Sequence, residues 1–323
     1  MAPSTVLVTG ASGFLGSTIG RVVRPLCDRL LFVTGSSSPS LATDLPDRTY
    51  SFRLPDHRLA MILARERPQW IIHCAGSASV RASIADPKAD FKNNVMVTES
   101  LYDTISKHSP DSNVVNLSSA AVYGQPQKLP ITLGTPVKPV SPYGKHKRQC
   151  ELITDQYRRR FGIHTVNLRI FSSYGPGLRK QVLWDIFRKA KSNSEVTLFG
   201  DGTETRDFVF SRDIANLIGN LVTTPESRLH LHPHYINVAT GRSVEIKTIA
   251  QLFLKQLGSD RPLRFSGESS SGDPKHWAVE INHDSDFTIQ NVTPLEDGLA
   301  IYANWIRSIT ENTDADRILA SAG

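Results

Sequence analysis

The 323-residue sequence predicts a doubly wound α/β fold with a smaller C-terminal region. Three observations carry that expectation. Short apolar strand candidates alternate with longer helical segments over the first 175 or so residues, the rhythm of a parallel sheet covered on both faces. A glycine-rich turn couples the first strand to the first helix. From about Tyr174 the alternation loosens, which suits a second region folded against the first.

In chain order, strands are expected at Thr5–Thr9, Leu30–Thr34, Trp70–Cys74, Asn113–Ser118 and His164–Arg169, each short, apolar and punctuated by Gly, Pro or Ser. Helices are expected at Phe14–Leu26, His57–Glu66, Asp90–Lys107 and Pro142–Phe161. Farther on, strand-like pieces at Glu195–Phe199, Asp207–Phe210 and His234–Asn237 mix with helices at Val182–Lys191, Arg212–Val222, Ile246–Leu257 and Leu295–Ile309. Strands of this later part are expected to rejoin the main sheet. Ser266–Asp273 reads as a Ser/Gly-rich loop, and the polar end from Thr310 as a frayed tail, disordered over 311–323.

The chain is 39% hydrophobic and 21% charged, ample for a large core. No stretch nears the ~20 apolar residues that a membrane helix needs. The first residues lack the basic patch and apolar run of a secretory signal. Cys27, Cys74 and Cys150 show no CxxC spacing and read as small buried residues, in keeping with a reducing cytoplasm. A net charge of +6 admits nucleic acid, but the basic residues are dispersed. The densest groups, Lys145 to Arg148 and Arg158 to Arg160, fall on one helix, and a phosphate-bearing small substrate explains the excess equally well. Neither a nucleic-acid nor a membrane partner is expected. His230, His232 and His234 alternate beside Pro233 without nearby Cys or paired carboxylates, so a surface loop is expected there and no metal.

Val6-Leu7-Val8 runs straight into Thr9-Gly10-Ala11-Ser12-Gly13-Phe14-Leu15-Gly16. Gly10 allows a tight turn, Gly13 lets backbone approach a phosphate, and Gly16 packs helix on strand. The helix N-terminus adds unpaired N–H groups and positive dipole. Strand, turn and helix in this order predict a Rossmann-type dinucleotide site. The acidic residue that would accept from a ribose 2′-hydroxyl is missing, since the second strand ends Val33-Thr34-Gly35-Ser36-Ser37-Ser38, with no Asp or Glu before Asp44. That removes a repulsion against a 2′-phosphate, and Ser36 and Ser37 could donate to one, so NADP is slightly favoured over NAD.

Tyr143 and Lys147 stand four apart at a helix start, where both project from one face. An ammonium beside a phenol favours the phenolate and suits the tyrosine to acid/base work near neutral pH. Ser119 follows the Val114–Leu117 strand, where its hydroxyl can bond the same reacting oxygen. His146 lies off that face and is expected to point to solvent.

In these motifs the chain to about residue 310 resembles the extended short-chain dehydrogenases, the nucleotide-sugar epimerases, dehydratases and reductases. The resemblance rests on Thr9–Gly16, His73-Cys74-Ala75-Gly76, Asn94-Val95-Met96-Val97-Thr98, Ser118-Ser119-Ala120-Ala121-Val122-Tyr123-Gly124, and Ser141-Pro142-Tyr143-Gly144-Lys145-His146-Lys147. It extends to Arg169-Ile170-Phe171-Ser172-Ser173-Tyr174-Gly175-Pro176-Gly177 and to Phe199-Gly200-Asp201-Gly202 with Arg206-Asp207-Phe208. It implies a dinucleotide-binding part at 1–175 holding the Ser/Tyr/Lys set, and a mainly substrate-binding region at 176–310. It implies Tyr143 as acid/base, Lys147 as its tuner and the holder of the nicotinamide ribose, Ser119 as a polariser, and Asn94 in support. Gly10, Gly13, Phe14, Leu15, Gly16 and Ala75 would line the cofactor; where such enzymes often carry an adenine-contacting Asp, Ser51-Phe52-Arg53-Leu54-Pro55-Asp56 departs and offers Arg53 or Asp56 instead. Ser79, Ser119, Tyr143, Ser172, Arg179 and Arg206 would meet the nucleotide-diphosphate sugar, and a homodimer is implied. Arg206 could instead make a surface ion pair with Asp207 or Asp213.

Ala120 and Ala121 stand where dehydratases of this kind place proton-moving side chains, so elimination is disfavoured. Epimerisation at C4 through a keto sugar is expected; the alternative is NADPH-dependent reduction of a nucleotide-linked 4-keto-6-deoxy sugar. Two departures blur the substrate: Ser172 replaces an Asn, and the late Arg-Pro-Gly reads Ser270-Ser271-Gly272-Asp273. Arg179 or Lys180 could compensate. A non-catalytic dinucleotide sensor on the same fold would be expected to lose the Tyr or Lys, and both are kept.

Overall fold

The computed structural model describes residues 3–35, 45–268, 274–282 and 285–321. The chain opens with β1 (Thr5–Thr9), α1 (Phe14–Val23), β2 (Arg29–Thr34), β3 (Arg48–Ser51), α2 (Arg58–Glu66) and β4 (Trp70–His73). Then come α3 (Val80–Ala85) and α4 (Pro87–Phe91), which passes through one π turn at Lys92–Met96 into α5 (Val97–His108). β5 (Asn113–Ser119), α6 (Pro142–Phe161), β6 (Thr165–Ile170), β7 (Ser172–Tyr174), α7 (Gln181–Ser192), β8 (Val196–Leu198), β9 (Thr205–Phe210) and α8 (Ser211–Val222) follow. The last elements are β10 (Tyr235–Val238), β11 (Ser243–Glu245), α9 (Ile246–Leu257), β12 (Leu263–Phe265) and α10 (Leu295–Ser321).

Seven parallel strands make the main sheet, in the order β10-β6-β5-β4-β1-β2-β3. Alternate residues feed opposite cores, as the period of two requires. Leu7, Leu31, Val33, Ile71 and Val114 pack on one face with Leu59 and Leu63 of α2 and Leu101 and Ile105 of α5. Val6, Val8, Leu30, Phe32, Ile72 and Val115 pack on the other with Ile19 and Val23 of α1 and Ile214 and Ile218 of α8. This is the doubly wound Rossmann-type arrangement. The five strands expected before Tyr174 lie within one residue of β1, β2, β4, β5 and β6.

The later part serves two purposes. β10 does rejoin the main sheet, beside β6, and α8 covers α1, whereas α7, α9, α10, β8 and β9 gather a separate core around Ile186, Phe253 and Tyr302. The expected boundary near residue 175 is therefore crossed by two elements. α10 stays helical to Ser321, past the point where a frayed tail is expected. Two of the three histidines leave the expected surface loop: His230 is exposed, but His232 is buried against Trp70 and bonds His164 at 3.2 Å, and His234 is tied to Asp155 at 2.9 Å. The aromatic packing of Trp70 accounts for that burial.

Parallel register brings the carboxyl ends of β1, β2 and β4 level, with Thr9 beside Val33 and His73. β1 is also where the strand order reverses, so a crevice opens there, the place where open α/β sheets hold ligands.

Candidate active site

Gly10 turns the chain out of β1 at φ +65°, and a Cβ there would meet the Ala75 backbone at 2.7 Å. A Cβ on Gly16 would meet the Gly10 carbonyl oxygen at 2.3 Å. Packing alone thus demands these two glycines. Gly13 is different: its φ of −77° suits any residue, and its Cβ would find only the Gly10 oxygen, at 3.1 Å. Gly13 caps α1 without a side-chain acceptor, and no acidic residue stands in the first turn. Phe14, Leu15 and Gly16 therefore begin a helix whose dipole faces the crevice uncompensated, a cradle that fits a pyrophosphate. Ala75 N–H donates to the Thr9 hydroxyl at 3.3 Å, and Thr9 in turn pairs with His73 Nδ1 at 2.8 Å. Burial holds His73 well below its ordinary pKa, at about 3, so it is a neutral spacer beneath the crevice floor.

At the tip of β2, Gly35 lies against Arg53, whose Cγ would be 2.8 Å from an added Cβ. Arg53 is exposed there, beside the end of the strand that faces an adenosine ribose in this fold. Asp56, the other sequence candidate, is bound by Arg58 at 2.8 Å. Ser36, Ser37, Ser38 and Asp44 lie outside the described residues, as does Ser270–Asp273.

The opposite wall is made by the end of β5 and the start of α6. Pro142 begins the helix and Ser141 caps it, accepting from Gly144 N–H at 3.1 Å. Gly144 sits so close to the Ala121 carbonyl that a Cβ would come within 2.5 Å, which presses this turn onto the Ala120–Tyr123 turn that Ser119 caps. Ser119 Oγ accepts from Ala121 N–H at 3.2 Å, leaving its proton to donate. Lys147 Nζ donates to the Leu117 carbonyl at 2.8 Å, two residues before Ser119. Tyr143, Lys147 and Ser119 are thereby brought to one corner. A residue the motifs did not reveal holds Tyr143: the buried Ser83 accepts the Tyr143 backbone N–H at 3.0 Å and donates to Val80 at 2.7 Å. That N–H is one of the orphan donors of a helix start, and only the unpredicted α3 brings it a partner.

Asn94 lies in the π turn, fully buried, its Nδ2 donating to Ser77 Oγ at 2.8 Å and to Asp90. His146 does not point to solvent. Its side chain is 14% exposed and its Nδ1 meets Asp90 Oδ2 at 2.6 Å, because α4 packs over that flank of α6.

On the substrate side the expected residues divide. Ser172 opens β7, paired with Phe208 of β9. Ser79 is the N-cap of α3, its Oγ accepting from Ala82 N–H at 3.1 Å. Arg179 turns away, its guanidinium 5.7 Å over the Trp305 ring of α10. Its neighbour Lys180 stays exposed to solvent, with its pKa lowered by partial loss of water and by the Lys147 ammonium. Arg206 takes neither sequence-expected carboxylate as its anchor in the bonds seen. It donates to the Thr205 and Lys275 carbonyls at 2.8 and 3.2 Å and lies over Trp277, while Asp207 accepts from Thr240 and Asp213 from Thr293. Ala120 and Ala121 offer no proton, as expected. Among the described residues no helix is long and apolar enough to cross a membrane.

The chain is similar to known nucleotide-sugar epimerases. A UDP-glucose 4-epimerase of Mycolicibacterium smegmatis is 32% identical over 65% of this chain and 70% of its own. Among solved structures, the UDP-N-acetylglucosamine 4-epimerase of Methanobrevibacter ruminantium, in complex with UDP-N-acetylmuramic acid, superposes with a TM-score of 0.83 at 26% identity, covering 95% of this chain and 99% of its own. The UDP-glucuronic acid 4-epimerase of Bacillus cereus, bound to UDP-glucuronic acid and NAD, gives 0.82 at 26% identity over 94% and 99%. The model of the NAD dependent epimerase/dehydratase family matches residues 6–239, and the chain belongs to that family, a group of enzymes of the extended short-chain dehydrogenase type.

Proposed function

We propose that the protein is a nucleotide-sugar 4-epimerase working through a 4-keto sugar. The observation that carries this reading is the corner where α6 presses on the Ser119 turn and Lys147 is anchored to β5. Tyr143 Oη would take the proton of the sugar C4 hydroxyl and return it to the keto oxygen after the sugar presents its other face. Lys147, four residues on along α6 and anchored to the Leu117 carbonyl, would hold the nicotinamide ribose beside it. Ser119 would donate to the same oxygen in both directions. The α1 N-terminus would hold the pyrophosphate of NAD, which supplies the hydride acceptor and donor when bound. Lys180 and Arg206 would face the sugar's diphosphate, as cations suited to it. Names of relatives support the 4-epimerase reading over dehydration, and Ala120 with Ala121 supports it independently.

Arg53 at the β2 tip favours a second reading, NADPH-dependent reduction of a nucleotide-linked 4-keto-6-deoxy sugar, since a guanidinium there suits a 2′-phosphate. Exposed Met96 and Leu152, on the π turn and α6, support a homodimer joined across these helices. The unpaired cysteines accord with a cytoplasmic enzyme. Incubation of purified protein with UDP-, dTDP- and GDP-sugars, with and without NADPH, tests the choice. Appearance of the C4 epimer without added cofactor is expected. Strict NADPH consumption on a keto sugar would establish the reductase instead.

A further inference from the structure

Asp90 is 4% exposed on its side chain, and a buried carboxylate must be met by donors. It has three. His146 Nδ1 lies 2.6 Å from one oxygen, while the Ser77 hydroxyl, at 2.5 Å, and Asn94 Nδ2, at 3.1 Å, donate to the other. Asn94 Nδ2 also donates to Ser77 Oγ at 2.8 Å and to the Asp90 carbonyl at 3.1 Å. Carboxylate and carbonyl only accept, so this surround fixes which end of the carboxamide is nitrogen. Asn94 Oδ1 is then forced the other way, buried and without a hydrogen-bond partner, 2.7 Å from where a Cβ of Gly76 would stand. Gly76 itself is exposed, just past the Ala75 that closes on the Gly10 turn. The acceptor is therefore presented beside the crevice floor.

We propose that Asp90 and His146 are a positioning pair: together they fix the Asn94 carboxamide and hold the catalytic turn of α6 against α4. His146 sits between Tyr143 and Lys147 in sequence, so its bond to Asp90 and its edge-on contact with Phe91, at 5.5 Å between centroids, pin that turn from the side opposite Ser119. The π turn at Lys92–Met96 brings Asn94 and Asp90 onto the same cluster. Lys88 and Lys92 share the outer groove with His146, and Lys145 and Lys147 flank it on α6, so Asp90 is the carboxylate that its imidazole meets. The catalytic half of this inference rests on the proposed function; the structural half does not.

Two readouts separate them. In ¹⁵N-labelled protein, with the Asn94 side-chain amide signal assigned by loss in Asn94→Asp, His146→Leu is expected to move that signal although residue 146 does not touch Asn94. Asp90→Asn should move it further, and His146→Gln, which keeps a donor, should move it least. In turnover of a nucleotide sugar, His146→Leu and Asp90→Asn should each lower kcat on the order of tenfold, within the ~100-fold that a 1 Å misplacement can cost, with KM changed less than about twofold. The double variant should be no worse than the poorer single one, as for residues acting as a unit. His146→Asn stands in should His146→Leu fail to fold. An unmoved Asn94 signal, or losses that multiply, would overturn the proposal. Absence of turnover in the wild type would overturn the proposed function while the amide signal still decides the pairing.

Discussion

Gly13→Ala separates the cofactor's demands from the fold's. The native φ of −77° and ψ of 170° are open to alanine, and giving up glycine's freedom in the unfolded chain stabilises by about 0.4–1 kcal/mol. Against that stands one contact, a Cβ 3.1 Å from the Gly10 oxygen, which a shift of a few tenths of an ångström relieves. The two terms offset, so unfolding free energy should stay within about 1 kcal/mol of the wild type. The new methyl group nonetheless occupies the exposed surface over which backbone would approach a pyrophosphate. NAD affinity should fall at least tenfold, about 1.4 kcal/mol. Gly16→Ala is the contrast, since a Cβ 2.3 Å from backbone oxygen must displace α1 from β1 and destabilise by about 1–3 kcal/mol or more. Urea titration and calorimetric titration of dinucleotide-free protein with NAD measure both quantities. Wild-type NAD affinity in Gly13→Ala would refute the placement of the pyrophosphate at this turn.

Other substitutions and conditions have equally definite outcomes. Ser83→Ala leaves the Tyr143 N–H without its acceptor; it should cost about 1–3 kcal/mol in thermal unfolding and lower kcat more than it raises KM. Glu151→Gln strands the buried guanidinium of Arg169, bonded to Glu151 at 2.9 Å through both Nε and Nη2, and should lose about 3–5 kcal/mol by urea titration, whereas Glu151→Leu with Arg169→Met should recover much of it. Acid should destabilise the fold in two stages. Buried His73, at about 3 when folded, gives up its share as pH falls from its unfolded value near 6.5 towards 3, because the unfolded chain takes the proton first. Burial raises the Glu66 carboxyl, but hydrogen bonds from Tyr50, Arg29 and Arg65 outweigh it and hold it at about 2, so its contribution is lost between about pH 4.5 and 2. Glu66→Gln should flatten the lower stage in unfolding curves taken across pH; an unchanged slope would contradict the assignment.

Elements bounded by chemical signals were legible in the sequence. The α6 limits follow from Ser141 and Pro142 at one end and Gly162, in the left-handed region at φ 71°, at the other. β3, β7, β11 and β12 were not, because three or four residues such as Arg48–Ser51 or Ser243–Glu245 carry too little alternation to register and owe their existence to neighbouring strands. One amphipathic run, Asp90–Lys107, conceals α4, a π turn and α5, since helical periodicity does not reveal an extra residue in a turn. The same limit governed the site. The glycines and the Tyr143/Lys147 spacing announce themselves, but spacing on α6 could not say that α4 covers His146. Nor could it tell that Arg179 lies over Trp305, which a distant helix brings to it. That Ser79 caps α3 was equally hidden, because a cap and a ligand-binding hydroxyl look alike in sequence.

The central claim is that the Tyr143 phenol moves the proton of a sugar hydroxyl. Single-turnover conversion of a nucleotide sugar by NAD-loaded Tyr143→Phe, beside the wild type, tests it most directly. The predicted result is a rate lower by about 10²–10⁴-fold with bound NAD and sugar affinity retained. Turnover at the wild-type rate would contradict it.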